Sequence, residues 1–133
     1  MTRSRITLLA IMAALVLTAP AEARPGVPEA QILPHPAGCP RRAFCGCGAA
    51  LERFGHHVRG LWLARNWLRF PRVPRGSEAP GHAAARRGHV FIIKAVLGNG
   101  LVMAYDANSG GRRTRLHVRS LAGFTVVDPS GGG

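Results

Sequence analysis

A tight turn at Asn99-Gly100 is the feature that most constrains how this chain can fold. Asn-Gly between two apolar runs is the strongest short-range signal for a two-residue β-hairpin. Residues 90–97 are rich in β-branched and apolar side chains, and residues 101–106 return with a similar character. The turn therefore predicts two antiparallel strands. A two-residue loop would place Phe91 of the first strand opposite Asn108 of the second, and a one-residue slip would turn Asn108 to the other face.

Two further strands and two helices are predicted around this hairpin. Residues 114–118 and 124–127 have strand character and are bounded by turn residues. Residues 43–54 and 61–68 carry apolar side chains near helical spacing, and Gly55 ends the first of these segments. The prediction is an α+β fold in which an N-terminal helix carrying cysteine and a second helix pack on a four-stranded antiparallel meander.

The first 23 residues predict an export signal. Arg3 and Arg5 precede an apolar run over residues 6–18, and Ala21-Glu22-Ala23 has the small-x-small form of a cleavage site. The apolar run is shorter than the roughly 20 residues that a helix needs to cross a bilayer. We therefore expect cleavage near Ala23 and a secreted or periplasmic mature protein without a membrane span.

The remaining chain divides into a short lead-in, one domain and a tail. Residues 24–38 contain four prolines and predict an extended lead-in. Residues 39–129 are long enough for one small domain. Residues 130–133 predict a flexible glycine tail. We expect a monomer by default.

The chain is strongly basic. Loss of residues 1–23, which contain two arginines and one glutamate, lowers the formal net charge from +12 to +11. Such a surface favours anionic partners, among them cell-wall polymers. The arginines are nevertheless scattered in runs of at most two, so a solvated basic surface is the ordinary alternative. No interleaved aromatic and basic pattern of the RNA-recognition kind is present, so specific nucleic-acid binding is not predicted.

Three cysteines lie close together in the sequence. An odd number in an oxidising compartment leaves at least one thiol free. Cys45 and Cys47 are too close for an unstrained bridge, so any disulfide would involve Cys39. We expect Cys39 to bridge Cys47 and Cys45 to stay free. His56 and His57 lie nearby, but Cys-x-Cys is not the usual zinc spacing, and neither a metal nor a cofactor is predicted.

Cys45, His89 and Asn108 form a candidate catalytic set. The pKa of a thiol falls at a helix N-terminus or beside an imidazolium, which favours the reactive thiolate. His89 enters the first predicted strand and could act as base and acid. In the predicted register Asn108 is a diagonal neighbour of His89 on the same face, with about 7–8 Å between backbones. Asn108 could therefore hold the imidazole ring.

The backbone beside the cysteine offers a second ingredient. The N–H groups of Gly46 and Cys47 could form an oxyanion hole. Gly46 and Gly48 each weaken a helix by about 1 kcal/mol relative to alanine. They are compatible with close approach of a substrate or with a loop. Structural alternatives also stay open, since a cysteine in a small exported domain is more often bridged than catalytic.

Four segments resemble small exported bacterial proteins of the papain-like NlpC/CHAP group, which contains cell-wall peptidases and amidases. These segments are Phe44-Cys45-Gly46, Leu63-Ala64-Arg65-Asn66-Trp67, Gly88-His89-Val90-Phe91-Ile92-Ile93 and Asp106-Ala107-Asn108-Ser109-Gly110-Gly111. The resemblance covers residues 43–128. It implies a papain-like fold with Cys45 as nucleophile, His89 as base and Asn108 as orienting group. The implied activity is hydrolysis of peptide or amide bonds, with peptidoglycan as the partner.

The chain departs from this group in two ways. Two residues beyond the nucleophile the group commonly has a bulky aromatic side chain, and here Cys47 occupies that position, so Cys47 is an alternative nucleophile. No wall-binding repeat is recognisable, so targeting would depend on charge. The alternative function is a catalytically inactive papain-like module that binds anionic cell-wall polymer or peptide through its arginines.

Overall fold

The structure, a computed structural model, describes residues 14, 15 and 28–132. It contains one α-helix, α1 (Cys45–Phe54), and three short 3₁₀ segments, Arg59–Leu61, Ala64–Arg69 and Gly110–Arg112. The strands are β1 (Gln31–Leu33), β2 (Ala83–Arg86), β3 (His89–Gly98), β4 (Leu101–Ser109), β5 (Arg113–Ser120) and β6 (Thr125–Val127). The predicted α+β class is confirmed. Apart from positions 14 and 15, the predicted export signal lies outside the described residues.

The sheet has six strands, not the predicted four, in the order β1-β5-β4-β3-β2-β6 with antiparallel neighbours. Strands β2 to β5 form a meander in chain order, and β1 and β6 add one strand at each edge. Strand β1 lies inside the proline-containing lead-in. Strand β2 is missed because it consists mostly of alanine, which is depleted in strands. No described helix has the length and apolar character that crossing a bilayer requires.

The turn between β3 and β4 has the predicted form. Gly98 pairs with Leu101, so Asn99 and Gly100 are the two loop residues. Their φ angles are 55° and 72°. A type I′ turn needs positive φ at both positions, which asparagine and glycine supply at low cost.

Away from the turn, the pairing of β3 with β4 departs from the predicted register. Two irregularities shift the strands, and Ile92 consequently pairs with Tyr105. Continuing by one residue in each strand places Phe91 opposite Asp106, whereas an unbroken ladder would place it opposite Asn108. Because the shift is two residues in total, the same face of β4 is retained. The bulges therefore place Asp106, and not Asn108, opposite Phe91.

The sheet is buried on both faces at the start of β3. One face packs against α1 and the first two 3₁₀ segments. The core on this side includes the fully buried Val90 of β3 and Trp67 of the second segment. The other face buries Phe91, Ile93 and Phe124. Successive residues of a strand point to opposite faces, so His89 shares the face of Phe91.

The second predicted helix, residues 61–68, is instead two 3₁₀ segments. Between them, Leu63 has extended backbone angles of φ −85° and ψ 121°. The indole Nε1 of Trp67 donates a hydrogen bond to the carbonyl oxygen of Leu61 at 2.8 Å. In an α-helix that carbonyl would accept a hydrogen bond from the backbone N–H of Arg65, so the Trp67 side chain competes with the helix.

Candidate active site

Cys45 is the first residue of α1 and carries the free thiol of the three cysteines. Cys39 and Cys47 form a disulfide, which is the predicted pairing. The alternative nucleophile Cys47 therefore has no free thiol. The bridge joins the chain before α1 to the first turn of the helix, which restrains the position of Cys45.

The glycines beside Cys45 allow close packing of the helix. A Cβ atom at Gly46 would overlap the carbonyl oxygens of Leu61 and Trp62. A Cβ atom at Gly48 would overlap the Cβ of Ala107 on β4. Both glycines are buried. Their role in the fold is to bring the N-terminus of α1 against the sheet and the 3₁₀ segment.

The N-terminus of α1 presents backbone N–H groups next to the thiol. Helical bonding begins with the N–H of Gly48, which donates to the carbonyl of Phe44 at 2.9 Å. The N–H groups of residues 45–47 precede the first helical bond and have no acceptor within the helix. Phe44 supplies no capping side-chain bond. The predicted oxyanion donors, Gly46 and Cys47, are at this end of the helix.

His89 is the first residue of β3 and meets Cys45 at the end of the sheet. Its Nε2 atom lies 2.6 Å from Oδ1 of Asp106, and only 12% of its side chain is exposed. Cys45 packs in the same buried cluster as Val90, the neighbour of His89, and the imidazole of His89 and the backbone N–H of Val90 lower the pKa of its thiol. Cys45 comes from the α1 layer and His89 from the sheet. The structure thus brings these two predicted residues together.

The carboxylate of Asp106 is fully buried and has three donors. Besides His89, it accepts hydrogen bonds from Nε2 of His117 at 2.7 Å and from Nη1 of Arg119 at 2.8 Å. A buried charge is tolerated when it is paired in this way. Sequence reasoning missed Asp106, His117 and Arg119 as site residues. The signal was an aspartate within an apolar strand, and two basic residues at alternate positions of β5, which share a face.

Asn108 does not occupy the orienting position that its predicted register implies. Among the described residues, the bond to the ring of His89 comes from Asp106, and none joins Asn108 to it. Asn108 has φ 54° and lies where the pairing of β4 with β5 shifts between Asp106 and Ser109. Asparagine tolerates this left-handed conformation better than most residues. The side chain bonded to the ring of His89 is therefore that of Asp106, and not that of Asn108 as predicted.

The pKa values of the three groups favour their charged forms. Burial raises the pKa of Cys45, but the nearby imidazole of His89 outweighs this and lowers the pKa below its ordinary value. Burial lowers the pKa of His89, but Asp106 and Cys45 outweigh it and raise the pKa to about 9. Burial also raises the pKa of Asp106, and hydrogen bonds from His89 and His117 bring it below its ordinary value. The arrangement favours a thiolate–imidazolium pair.

One further group of side chains has the proximity of a metal site. The ligand atoms of Cys39, Cys47 and His57 all lie within 4.8 Å of one another. Both sulfur atoms belong to the disulfide, however, so neither is a thiolate available to a metal.

Comparison of the chain with protein-family models, with curated proteins and with solved structures found no significant match. Function is therefore inferred from the chemistry of the Cys45, His89 and Asp106 side chains.

Proposed function

We propose that this protein is an exported papain-like cysteine peptidase or amidase that hydrolyses peptide or amide bonds of peptidoglycan. One observation carries the proposal. A free thiol at a helix N-terminus packs in the same buried cluster as Val90, the neighbour of His89, and the imidazole of His89, which lowers the pKa of that thiol, is bonded through Nε2 to a buried carboxylate. These are the nucleophile, base and orienting group that acyl transfer requires. A cysteine-bearing helix packed on an antiparallel sheet that bears the histidine supports the papain-like assignment.

The bond between His89 and Asp106 selects the nitrogen that faces the thiol. Asp106 accepts from Nε2, so Nδ1 is the nitrogen available to Cys45. The carboxylate also stabilises the imidazolium by charge. His117 and Arg119 donate to the second oxygen of Asp106 and fix the carboxylate in turn. The ring of His89 is therefore oriented before any substrate binds.

The first half of the reaction forms a thioester. The thiolate of Cys45 attacks the carbonyl carbon, and the carbonyl oxygen takes the negative charge. The backbone N–H groups at the start of α1 stabilise that oxyanion. The carbon–nitrogen bond then breaks, and the leaving nitrogen takes the proton of His89. An amine leaves, an acyl thioester remains on Cys45, and His89 is neutral.

The second half of the reaction restores the enzyme. Neutral His89 takes a proton from water as the water oxygen attacks the thioester carbon. The carbon–sulfur bond breaks and the acid is released. Cys45 returns as a thiolate and His89 as an imidazolium. No electron acceptor or cofactor takes part in these steps.

The location and the substrate class are inferred from the sequence. The charge–apolar–small order of residues 1–23 supports export. The mature net charge of +11 supports attraction to an anionic envelope polymer. The resemblance of residues 43–128 to the NlpC/CHAP group supports cell-wall peptides as the substrate class.

Digestion of purified peptidoglycan tests this function. The mature chain, residues 24–133, is incubated with peptidoglycan, and released fragments are identified by mass spectrometry. We expect cleavage by the wild type, no cleavage by Cys45→Ala, and wild-type cleavage by Arg87→Gln, a charge control in the β2–β3 turn. Equal, salt-sensitive retention of wild type and Cys45→Ala on the polymer without any cleavage would favour the inactive binding module instead.

A further inference from the structure

Two arginines flank an aromatic cluster beside the candidate active site. The guanidinium carbon of Arg86 lies 4.6 Å from the ring centroid of Phe124, and that of Arg119 lies 5.4 Å from the same centroid. Arg119 also lies 5.0 Å from the ring centroid of Phe91. The two aromatic rings contact each other edge to face, with centroids 4.8 Å apart. The aromatic faces thus hold both guanidinium groups in place by cation–π attraction.

This cationic pair borders His89. Arg86 is the direct cross-strand partner of His89 in the β2–β3 pairing. Side chains paired in this way point to the same face, with Cβ atoms about 4.5–5.5 Å apart. The ring of His89 also lies 6.4 Å from the ring of Phe124. The guanidinium of Arg86 and the imidazole of His89 thus lie against the same ring, that of Phe124.

Asp106 forms an ion pair with Arg119, whereas Arg86 has no such partner among the described residues. Asp106 is fully buried, and its hydrogen bonds go to Arg119, His89 and His117. In the part of the chain that the structure describes, no carboxylate lies within ion-pair distance of Arg86, which is exposed. The side chain of Arg119 is 25% exposed. The charge of Arg86 is therefore open to an anionic ligand, and the partly exposed guanidinium of Arg119 lies against the same ring of Phe124.

We propose that Arg86 and Arg119 form a carboxylate-binding subsite on the leaving-group side of the scissile bond. The proposal rests on the proposed function and specifies its substrate. His89 donates its proton to the leaving nitrogen, so side chains beside His89 face the part of the substrate that carries this nitrogen. The acyl part lies toward the N–H groups of α1. The guanidinium fork matches a planar carboxylate in shape and charge.

The substrate class that follows is an amide whose leaving amine carries a nearby carboxylate. An amino acid or short peptide with a free α-carboxylate, released from the end of a longer peptide, has this chemistry. An amide whose leaving amine lacks an acidic group would bind less tightly. Since the carboxylate contacts groups outside the reacting centre, the preference is expressed as binding in the substrate complex and in the transition state.

Alkylation of Cys45 tests the subsite without requiring turnover. Iodoacetate and iodoacetamide share the same leaving group and similar size, and they differ in a carboxylate against a neutral amide. Their rate ratio is measured for Cys45 and divided by the ratio for a small model thiol. We expect a normalised ratio above one for the wild type and a drop of about fivefold in Arg86→Gln, as the loss of one nearby charge implies.

Arg87→Gln is the matched control, because it removes the same charge one residue further along the chain. It should keep the wild-type ratio. Equal ratios in Arg86→Gln and Arg87→Gln would overturn the subsite, even with a highly reactive thiol. Slow alkylation of the wild type by both reagents would instead count against the thiolate–imidazolium pair, and hence against the proposed function. The ratio remains measurable for a slow thiol, so the two failures are distinguishable.

A second measurement uses amide substrates that differ only at the leaving group. An acyl-glycine with a free carboxylate is compared with the corresponding acyl-glycinamide. The preference in kcat/KM for the free carboxylate should fall about fivefold in Arg86→Gln and stay at the wild-type value in Arg87→Gln. An unchanged preference in Arg86→Gln would contradict the subsite.

Discussion

Asp106 Oδ1 accepts a hydrogen bond from His89 Nε2 at 2.6 Å, in a place where the carboxylate has no contact with solvent. This one bond determines the rotation of the imidazole ring, the nitrogen left for Cys45, and the preference of the ring for its protonated form. The reactivity of the thiol therefore depends on a residue that lies on the far side of the histidine.

Removal of the Asp106 charge should impair reactivity much more than loss of Asn108. Asp106→Asn keeps the size of the side chain but leaves the positive charge of Arg119 and of protonated His89 without a partner. We expect a loss of about 100-fold in kcat/KM and a decrease of about 3 kcal/mol in the free energy of unfolding. Asn108→Gly preserves the left-handed backbone and should reduce kcat/KM less than threefold. Comparable losses in the two variants would show that Asp106 is not the orienting group.

The protonation of His89 should be visible in its pH dependence. The ring is expected to titrate at about 9 and not at its ordinary 6.5. Because the folded-state pKa is raised, the contribution of protonated His89 to stability is complete below about 6.5 and is lost as the pH rises through about 9. Side-chain NMR of His89 measures the titration directly. A titration at 6.5 or below in the wild type is the result that this account excludes.

The disulfide should stabilise the fold without supplying the nucleophile. Mass spectrometry of the intact protein should detect one free thiol, at Cys45. The double variant Cys39→Ala/Cys47→Ala should lose about 2–3 kcal/mol in the free energy of unfolding, as closure of a loop this short implies. Cys45 of this variant should still react with iodoacetamide at temperatures at which the variant is folded. Loss of labelling in this double variant would show that the reactive thiol is not that of Cys45.

Gly46 should be intolerant of alanine for a steric reason. Alanine is intrinsically favoured in a helix by about 1 kcal/mol, but the added Cβ would overlap the backbone carbonyls of Leu61 and Trp62. We expect Gly46→Ala to lower the free energy of unfolding by about 1–3 kcal/mol. Gly60→Ala, where a Cβ meets nothing within 4 Å, is the control and should be nearly neutral. Urea denaturation of both variants gives their free energies of unfolding and separates the effect of steric overlap from that of helix propensity.

The sequence predicted those features that depend on local chemistry. The Asn99-Gly100 turn, the helix that ends before Gly55, and the pairing of Cys39 with Cys47 follow from turn geometry, helix capping and disulfide reach. The free thiol of Cys45 follows from this pairing. Its place near His89 was predicted from the chemistry of a catalytic set and from the resemblance to the NlpC/CHAP group. The turn, the helix end and the disulfide each require knowledge of only a few neighbouring residues.

The third member of the site depended on information that is not local. Two irregularities in the β3–β4 ladder move Asp106 to the position that an unbroken hairpin would give to Asn108. A bulge is stabilised by packing and twist across the sheet, and no residue between positions 93 and 98 identifies it uniquely. Strand β2 was missed for a related reason, since its alanines form a strand only because β3 and β6 lie on either side.

Titration of the Cys45 thiol by its ultraviolet thiolate absorbance tests whether Cys45 and His89 form an ion pair. The difference between wild type and Cys45→Ala isolates this one group, because Cys39 and Cys47 are bridged. We predict that the thiolate is present well below pH 8.5, the ordinary pKa of a free cysteine, and that His89→Asn moves the transition upward. A thiolate that appears only above pH 8.5 in the wild type, with no change in His89→Asn, would contradict the thiolate–imidazolium pair and with it the hydrolase.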